Sequence, residues 1–93
     1  MSHSRCWRVE IVIDEHADER RTHAQARLLM QDQAARGDGT AWRDPRDAKV
    51  PAVGDQIAAA RALADLARQL LDAARTDQAS TVEVRRPGGE PAR

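Results

Sequence analysis

The residue types that support catalysis or metal binding are concentrated near the start of this chain. The single cysteine and all three histidines lie within the first 23 positions, next to a cluster of acids. His3 and Cys6 supply two zinc ligands, whereas a zinc site takes four protein ligands, or three and a water. The acidic segment 14–19 lacks the glycine and the ligand spacing of a calcium loop. We therefore expect neither a bound metal ion nor a cofactor.

The sequence offers equally little for a reaction centre. Nucleophilic catalysis needs a Ser, Cys or Thr beside an activating base, and no histidine is placed to activate Cys6. The carboxylate pairs at 14–15 and 18–19 fall in a polar connection, not in a dry cleft suited to acid–base chemistry. The Gly37-Asp38-Gly39 segment lacks the third glycine of a phosphate-binding loop, so backbone strain or close packing explains it better. We expect no enzyme and no small-molecule substrate.

Composition limits the classes of partner. The chain has 93 residues with 15 basic and 15 acidic side chains, so no net field steers it to nucleic acid or to an anionic membrane. One cysteine excludes an intrachain disulfide and suits a reducing compartment. No apolar run reaches the length of a signal peptide core or a membrane span. We expect a cytoplasmic protein with a single domain at 6–80, a flexible N-terminus at 1–5 and a flexible tail at 81–93.

Alternation of apolar and polar residues predicts the sheet. It indicates a half-buried strand from Trp7 to Asp14 and a second from Thr22 to Met30, joined by a hairpin connection at 15–20. A helix competes for the second segment, because Ala, Gln, Arg and Leu favour helices. A turn at 31–36 then precedes a short third strand from Gly37 to Arg43, and Thr81 to Val84 is a candidate fourth strand.

One long amphipathic helix is predicted from about Gln56 to about Thr76, with Asp55 as its N-cap. Its apolar face is predicted to contain Ala59, Ala60, Leu63, Leu66, Ala67, Leu70, Leu71 and Ala74. Opposite it, the charges of Arg61, Asp65, Arg68, Asp72 and Arg75 alternate in sign at spacings of four and three. Such a ladder is either a docking stripe or, as we favour, a solvated helix face.

These elements predict an α+β fold, in which a three-stranded antiparallel sheet packs against one long C-terminal helix in the order β-β-β-α. A helix of about 32 Å would overhang strands of about 23 Å and expose Leu70, Leu71 and Ala74. A second copy of the chain is the natural cover, because most small assemblies are two-fold dimers. We therefore expect a homodimer.

One surface is a candidate for binding RNA or a second copy. If Ala41 faces the helix, Trp42 lies on the other side of the sheet, near Arg8 and Arg27, with Arg43 beside it. An indole among guanidinium groups stacks on bases and contacts phosphates, and the same residue types are enriched at protein interfaces. Packing of Trp42 in the core or in a dimer ranks first and RNA contact second.

Three segments also carry a family resemblance. They are Gly37-x-Gly39-x-Ala41-x-Arg43-x-Pro45-x-Asp47, Val50-Pro51-x-Val53-Gly54-Asp55 and Ala60-Arg61-Ala62-Leu63-x-Asp65-Leu66-Ala67-x-x-Leu70-Leu71. Together they resemble a small actinobacterial family of unknown function that is classed with the double-stranded-RNA-binding-domain-like folds. The resemblance covers roughly residues 7–77. Trp42 departs from it, because a basic residue is expected there.

The resemblance implies a function that the residues alone do not. Members of this family are similar in shape to ribosome hibernation-promoting factors, which implies a stress or dormancy factor that associates with the ribosome or RNA. The alternative is a homodimeric protein-interaction module with no nucleic-acid role. Local charge discriminates between the two hypotheses. A coherent basic strip of Arg8, Arg27, Arg43 and Arg46 favours RNA, whereas neutralisation by Glu10, Asp44 and Asp47 favours the module.

Overall fold

A computed structural model describes residues 2–30, 34–46 and 50–85, with the backbone alone at 34 and 78–85. The described residues form three strands, β1 (Arg8–His16), β2 (Arg21–Leu29) and β3 (Ala34–Trp42), followed by one helix, α1 (Pro51–Arg85). The strands make an antiparallel sheet in the order β1-β2-β3, with α1 packed on one face. The predicted β-β-β-α fold is confirmed. The predicted domain limits and flexible ends stay predictions.

The hairpin between β1 and β2 is tight. A one-turn 3₁₀ helix (Ala17–Glu19) closes it, and Arg20 follows in the left-handed region with φ of 50°. The N–H of Arg20 donates to the Ala17 carbonyl, and the Arg20 carbonyl accepts from the N–H of Arg43. This turn sets the register in which Ile11 faces Ala26, and β2 pairs with β3 so that Ala26 faces Gly37. The strand interpretation of the second segment is therefore right and the competing helix is wrong.

Three predicted boundaries are corrected. The helix begins at Pro51, four residues before the predicted cap Asp55, because proline suits a first helical position where no N–H partner is needed. It continues to Arg85, so residues 81–84 are helical and the candidate fourth strand is wrong. The third strand starts at Ala34, where the sequence indicated a turn. Residues 31–33 of that turn and 86–93 of the tail lie outside the described residues.

The core is a seam of small residues between α1 and the sheet. Its buried helical members are Ala58, Ala62 and Leu66, spaced four apart along one face. They lie against Gly37 and Gly39, where a Cβ would come within 2.8 Å of the Leu66 Cα and 2.7 Å of the Arg61 carbonyl carbon, respectively. The close-packing explanation of the two glycines is therefore confirmed.

This close approach determines which face of the helix is buried. The predicted face included Leu63 and Leu71, but these are 41% and 51% exposed. Backbone contact at Gly37 and Gly39 turns the smaller residues toward the sheet instead. Ala24, Ala26 and Leu28 of β2 supply the opposite wall of the core.

The helix lies over β2 and β3 and leaves β1 uncovered. Every residue of β1 is exposed, including Val9, Ile11 and Ile13 on the same side of the sheet as the helix. The prediction that this strand is half-buried is therefore wrong. Its pattern is that of a core strand, but the glycine contacts place α1 away from it.

Candidate functional site

The face of the sheet opposite α1 is open and carries both signs of charge. Strand pairing places its residues in cross-strand rows, one of which contains Glu10, Arg27 and Arg36. A row near the far end of the sheet contains His16, Arg21 and Trp42. The open face is therefore not a uniform basic surface.

The structure does not bring the four predicted surface residues together. Arg8 and Arg27 lie toward one end of the open face, whereas Trp42 pairs with Arg21 at the other. Arg27 lies six positions after Arg21 along β2, which is about 20 Å. Ala41 is buried against the helix, so Trp42 faces away from it and is 68% exposed. The interpretation of Trp42 as a core residue is therefore wrong. Arg43 follows Trp42 at the end of β3.

Several arginines are neutralised by neighbouring acids. The Arg27 Nη1 lies 3.5 Å from the Glu10 Oε1, and the Arg46 Nη2 lies 3.2 Å from the Asp44 Oδ2. Hydrogen bonds from the Arg46 side chain and backbone hold the pKa of Asp44 below its usual value. Asp47 lies outside the described residues. Among the described residues, acids therefore neutralise Arg27 and Arg46, which is the charge pattern expected of the interaction module.

The most conspicuous apolar surface is a stripe that we call the β1 strip, formed by Val9, Ile11 and Ile13. These side chains are 44%, 37% and 39% exposed and share one face of β1. Arg61 and Asp65 of α1 contact β3, and Leu63 lies about 160° from each of them around the helix. Leu63 is therefore on the flank of α1 that points toward β1. The β1 strip and Leu63 are thus exposed apolar residues on the same side of the sheet.

The two edge strands of the sheet, β1 and β3, differ in whether side chains of α1 bind their backbone. On β3, the N–H of Asp38 donates to the Asp65 Oδ2 at 2.9 Å, and the Thr40 carbonyl accepts from the Arg61 Nη1 at 2.7 Å. Side chains of α1 therefore occupy hydrogen-bonding groups on that edge. Two members of the charge ladder thus have a structural role that the sequence did not indicate.

No comparable contact covers the edge of β1 at positions 8–14 within the part of the chain that the structure describes. An uncovered edge strand of nine residues with three exposed apolar side chains is an unusual feature, because unpaired strand edges readily pair with another chain. Natural proteins protect such edges, as α1 does for β3. The exposed edge and the β1 strip together are the candidate functional site.

A further opening lies where α1 begins, at the end of the sheet that carries Trp42. Its walls include Trp42, Val53 and Ile57, with Arg20 and Arg43 among the polar lining. Sequence reasoning missed this cavity. The sequence feature that could have indicated it is the pair of apolar residues Val50 and Val53 on either side of Pro51. Because the helix was predicted to start at residue 56, these residues were assigned to a loop.

The fold and its uncovered strand define a small α+β domain of the β-β-β-α class. A family model described as Rv2632c-like matches residues 5–86, and the chain belongs to this family. It is 39% identical over 87 residues to the uncharacterized protein Mb1767 of Mycobacterium bovis, which covers 94% of this chain and 84% of that protein. It is 43% identical over 74 residues to the uncharacterized protein Rv2632c of Mycobacterium tuberculosis, which covers 78% of this chain and 77% of the relative.

A solved structure supports the same assignment. The crystal structure of Rv2632c is similar to this chain with a TM-score of 0.78 and 33% identity, covering 97% of this chain and 98% of the other. Within the described residues, no helix has the length and apolar character needed to cross a membrane.

Proposed function

We propose that this protein is a homodimeric protein-interaction module in which β1 pairs with β1 of a second copy. The observation that carries the proposal is the contrast between the two sheet edges. The edge of β3 is occupied by Asp65 and Arg61, whereas nothing described covers β1 at positions 8–14. Antiparallel pairing across a two-fold axis would join two sheets of three strands into one sheet of six.

The side chains of β1 select one register for this pairing. A two-fold axis perpendicular to the sheet keeps both helices on one face, and it requires residues of the same face to oppose each other. Centring the axis on Ile11 places Val9 opposite the partner's Ile13 and Arg8 opposite the partner's Asp14. Both faces then match, because apolar residues meet on one side and opposite charges meet twice on the other.

Neighbouring registers are less favourable. Centring the axis on Val12 places Glu10 opposite the partner's Asp14, and centring it on Glu10 places two like carboxylates face to face. Like charges directly opposite each other destabilise a strand pair. Within the described residues neither Arg8 nor Asp14 forms an ion pair, so both are available.

The expected affinity is moderate. Covering the exposed fractions of the three residues of the β1 strip in each copy contributes roughly 4–7 kcal/mol per dimer. Association itself costs about 4 kcal/mol or more, so the backbone hydrogen bonds along the paired edges must provide much of the net stability. Measurements at tens of micromolar protein are therefore appropriate.

The test is sedimentation equilibrium of two matched lysine variants. Ile11→Lys places two ammonium groups at the two-fold axis and is expected to give a monomer. Val12→Lys adds the same charge to the same strand at a residue of similar exposure, 43% against 37%. It faces the partner's Glu10 in the proposed register and is expected to leave the dimer intact. A monomeric wild-type chain at tens of micromolar, or equal effects of both variants, overturns the proposal.

Association with the ribosome or RNA in stress or dormancy, through a double-stranded-RNA-binding-domain-like fold similar to hibernation-promoting factors, is the second candidate. The observation that favours it is that Arg8, Arg27 and Arg36 lie at one end of the open face, where Glu10 and Asp38 offset the charges of Arg27 and Arg36 and leave that of Arg8. Co-sedimentation with ribosomes at low and moderate salt tests it. Binding that an Arg8/Arg27 double substitution abolishes supports this candidate, whereas protein that stays at the top of the gradient at both salts contradicts it.

A further inference from the structure

The cavity at the start of α1 lies beside the end of β1. It has a volume of about 290 Å³, and its lining includes Glu15, Thr22 and Ala41, which form one cross-strand row on the side of the sheet that faces the helix. The helix contributes Val53 and Ile57, which are 49% and 39% exposed. Apolar area at this end of the protein is therefore open to one bulky apolar side chain.

Trp7 presents an exposed indole at the opposite end of β1. It immediately precedes the strand and is 56% exposed. Continuing the alternation of β1 places it on the same side as Val9, which is the side of the helix. Eight positions along the chain, about 27 Å, separate it from Glu15, so it does not reach the cavity of its own copy.

The hydrogen-bond pattern of the sheet shows which backbone groups β1 offers at its open edge. Asp38 and Thr40 on β3 direct theirs outward, to side chains of α1. Because antiparallel pairing alternates, the β2 residues opposite them bond to even-numbered residues of β1. The odd-numbered residues of β1 therefore point their N–H and C=O groups to the open edge, and Trp7 and Glu15 continue that series.

The proposed register brings the indole of one copy to the cavity of the other. With the two-fold axis centred on Ile11, Glu15 lies opposite the partner's Trp7. This pair belongs to the hydrogen-bonded series, in which the two Cα atoms are about 5.5 Å apart. The partner's indole is then on the helix side of the sheet, next to the row that ends in Thr22 and Ala41, at the mouth of the cavity.

We propose that Trp7 of each copy inserts its indole into the cavity at the start of α1 of the other copy. The inference rests on the proposed β1 pairing and goes beyond it, because it names an anchor residue and the cavity that receives it. Tryptophan is enriched among the residues that dominate binding at protein interfaces, where it fills desolvated pockets. Two such anchors, one at each end of the paired strands, would make Trp7 a main determinant of the dimer.

Fluorescence of Trp7 is the direct probe. In a Trp42→Phe chain, Trp7 is the one remaining indole. Its emission is expected to shift to shorter wavelength, and its quenching by acrylamide to fall, as the chain is concentrated from the submicromolar range to tens of micromolar and dimerises. Adding Ile11→Lys keeps this chain monomeric and should abolish both changes.

Three variants measured by sedimentation equilibrium separate the anchor from β1 pairing. Trp7→Ala removes both anchors and should raise the Kd of the dimer at least about thirtyfold. Val53→Asp puts a carboxylate into the cavity wall in the first turn of α1, where an acid favours the helix, so the fold is retained. It should raise the Kd at least about tenfold, because the indole would bury that charge. Leu71→Asp makes the same charge change at an exposed residue of the same helix outside the cavity, and should change the Kd less than about twofold.

The outcomes distinguish this inference from the proposed function. A wild-type dimer that Ile11→Lys dissociates and Trp7→Ala leaves unchanged overturns the anchor and leaves β1 pairing in place. Equal effects of the two aspartate variants, or Trp7 emission that does not change on dimerisation, also overturn the anchor. A monomeric wild-type chain overturns the pairing and the anchor together.

Discussion

Gly39→Ala tests the close contact that positions the helix. A Cβ on Gly39 would lie 2.7 Å from the Arg61 carbonyl carbon, and nearer still to the Ala62 nitrogen and the Ala58 oxygen, whereas ordinary contact begins at 3.4 Å. All three atoms are backbone, so no side chain can turn away. In a close-packed core the helix must retreat by about 1 Å.

The expected cost follows from two opposing effects. Overpacking of this kind costs about 3 kcal/mol, while replacing a strand glycine by alanine returns roughly 0.5–1 kcal/mol. We expect a net loss of about 2 kcal/mol, or roughly 8–16 °C in Tm for a domain of this size. Urea unfolding followed by circular dichroism at 222 nm measures it, at one fixed protein concentration because self-association adds to apparent stability.

Gly54→Ala is the matched control. Gly54 lies inside α1, where alanine is favoured by about 1 kcal/mol, and the nearest atom to its added Cβ is the Thr22 Oγ1 at 3.2 Å. We expect this variant to be at least as stable as the wild-type chain. A Gly39→Ala variant as stable as Gly54→Ala would refute the reasoning that backbone contact positions the helix.

Three further predictions concern the edge of β3, the hairpin and the loop after β3. Asp65→Ala should lower the free energy of unfolding by about 1–2 kcal/mol, because a backbone N–H of β3 loses its charged acceptor. Asp72→Ala breaks an exposed ion pair and should change the free energy of unfolding by less than about 0.5 kcal/mol. Urea unfolding measures both variants. Arg20→Gly should raise the free energy of unfolding by about 0.5–1 kcal/mol, and with it Tm, because glycine adopts a φ of 50° without strain. A lower Tm measured by calorimetry would contradict this. The pKa of Asp44 in the folded protein lies below its ordinary value of 3.8. The stabilisation from its contacts with Arg46 is therefore complete above about pH 3.8 and is lost as the pH falls through the folded-state pKa. An NMR titration of the Asp44 carboxyl carbon should give a midpoint below 3.8.

The sequence predicted the elements well where local pattern determines them. Alternation identified β1 and β2 as strands, and Ala24 and Ala26 of β2 do lie on its buried face. Alternation along β3 puts Trp42 on the open face only if Ala41 faces the helix, and the sequence left that condition undecided. It did not give distances along the sheet, because those depend on the register, and so Trp42 was expected beside Arg27.

The remaining errors come from the position of the helix. Leu63 and Leu71 looked like core residues because large apolar side chains usually are, but two glycines on β3 bring smaller residues of α1 to the interface. That displacement leaves β1 uncovered, although its own alternation is that of a covered strand. No property of β1 alone reports where a helix that begins at Pro51 will lie.

The most direct test of β1 pairing is a charge exchange between Arg8 and Asp14. In the proposed register, an Arg8→Asp dimer contains two pairs of facing carboxylates, and an Asp14→Arg dimer contains two pairs of facing guanidinium groups. Each variant alone is therefore expected to sediment as a monomer. Mixed in equal amounts, the two variants restore both opposite-charge pairs and are expected to form a heterodimer at tens of micromolar. A mixture that remains monomeric while the wild-type chain dimerises, or single variants that dimerise as the wild-type chain does, would contradict pairing through β1.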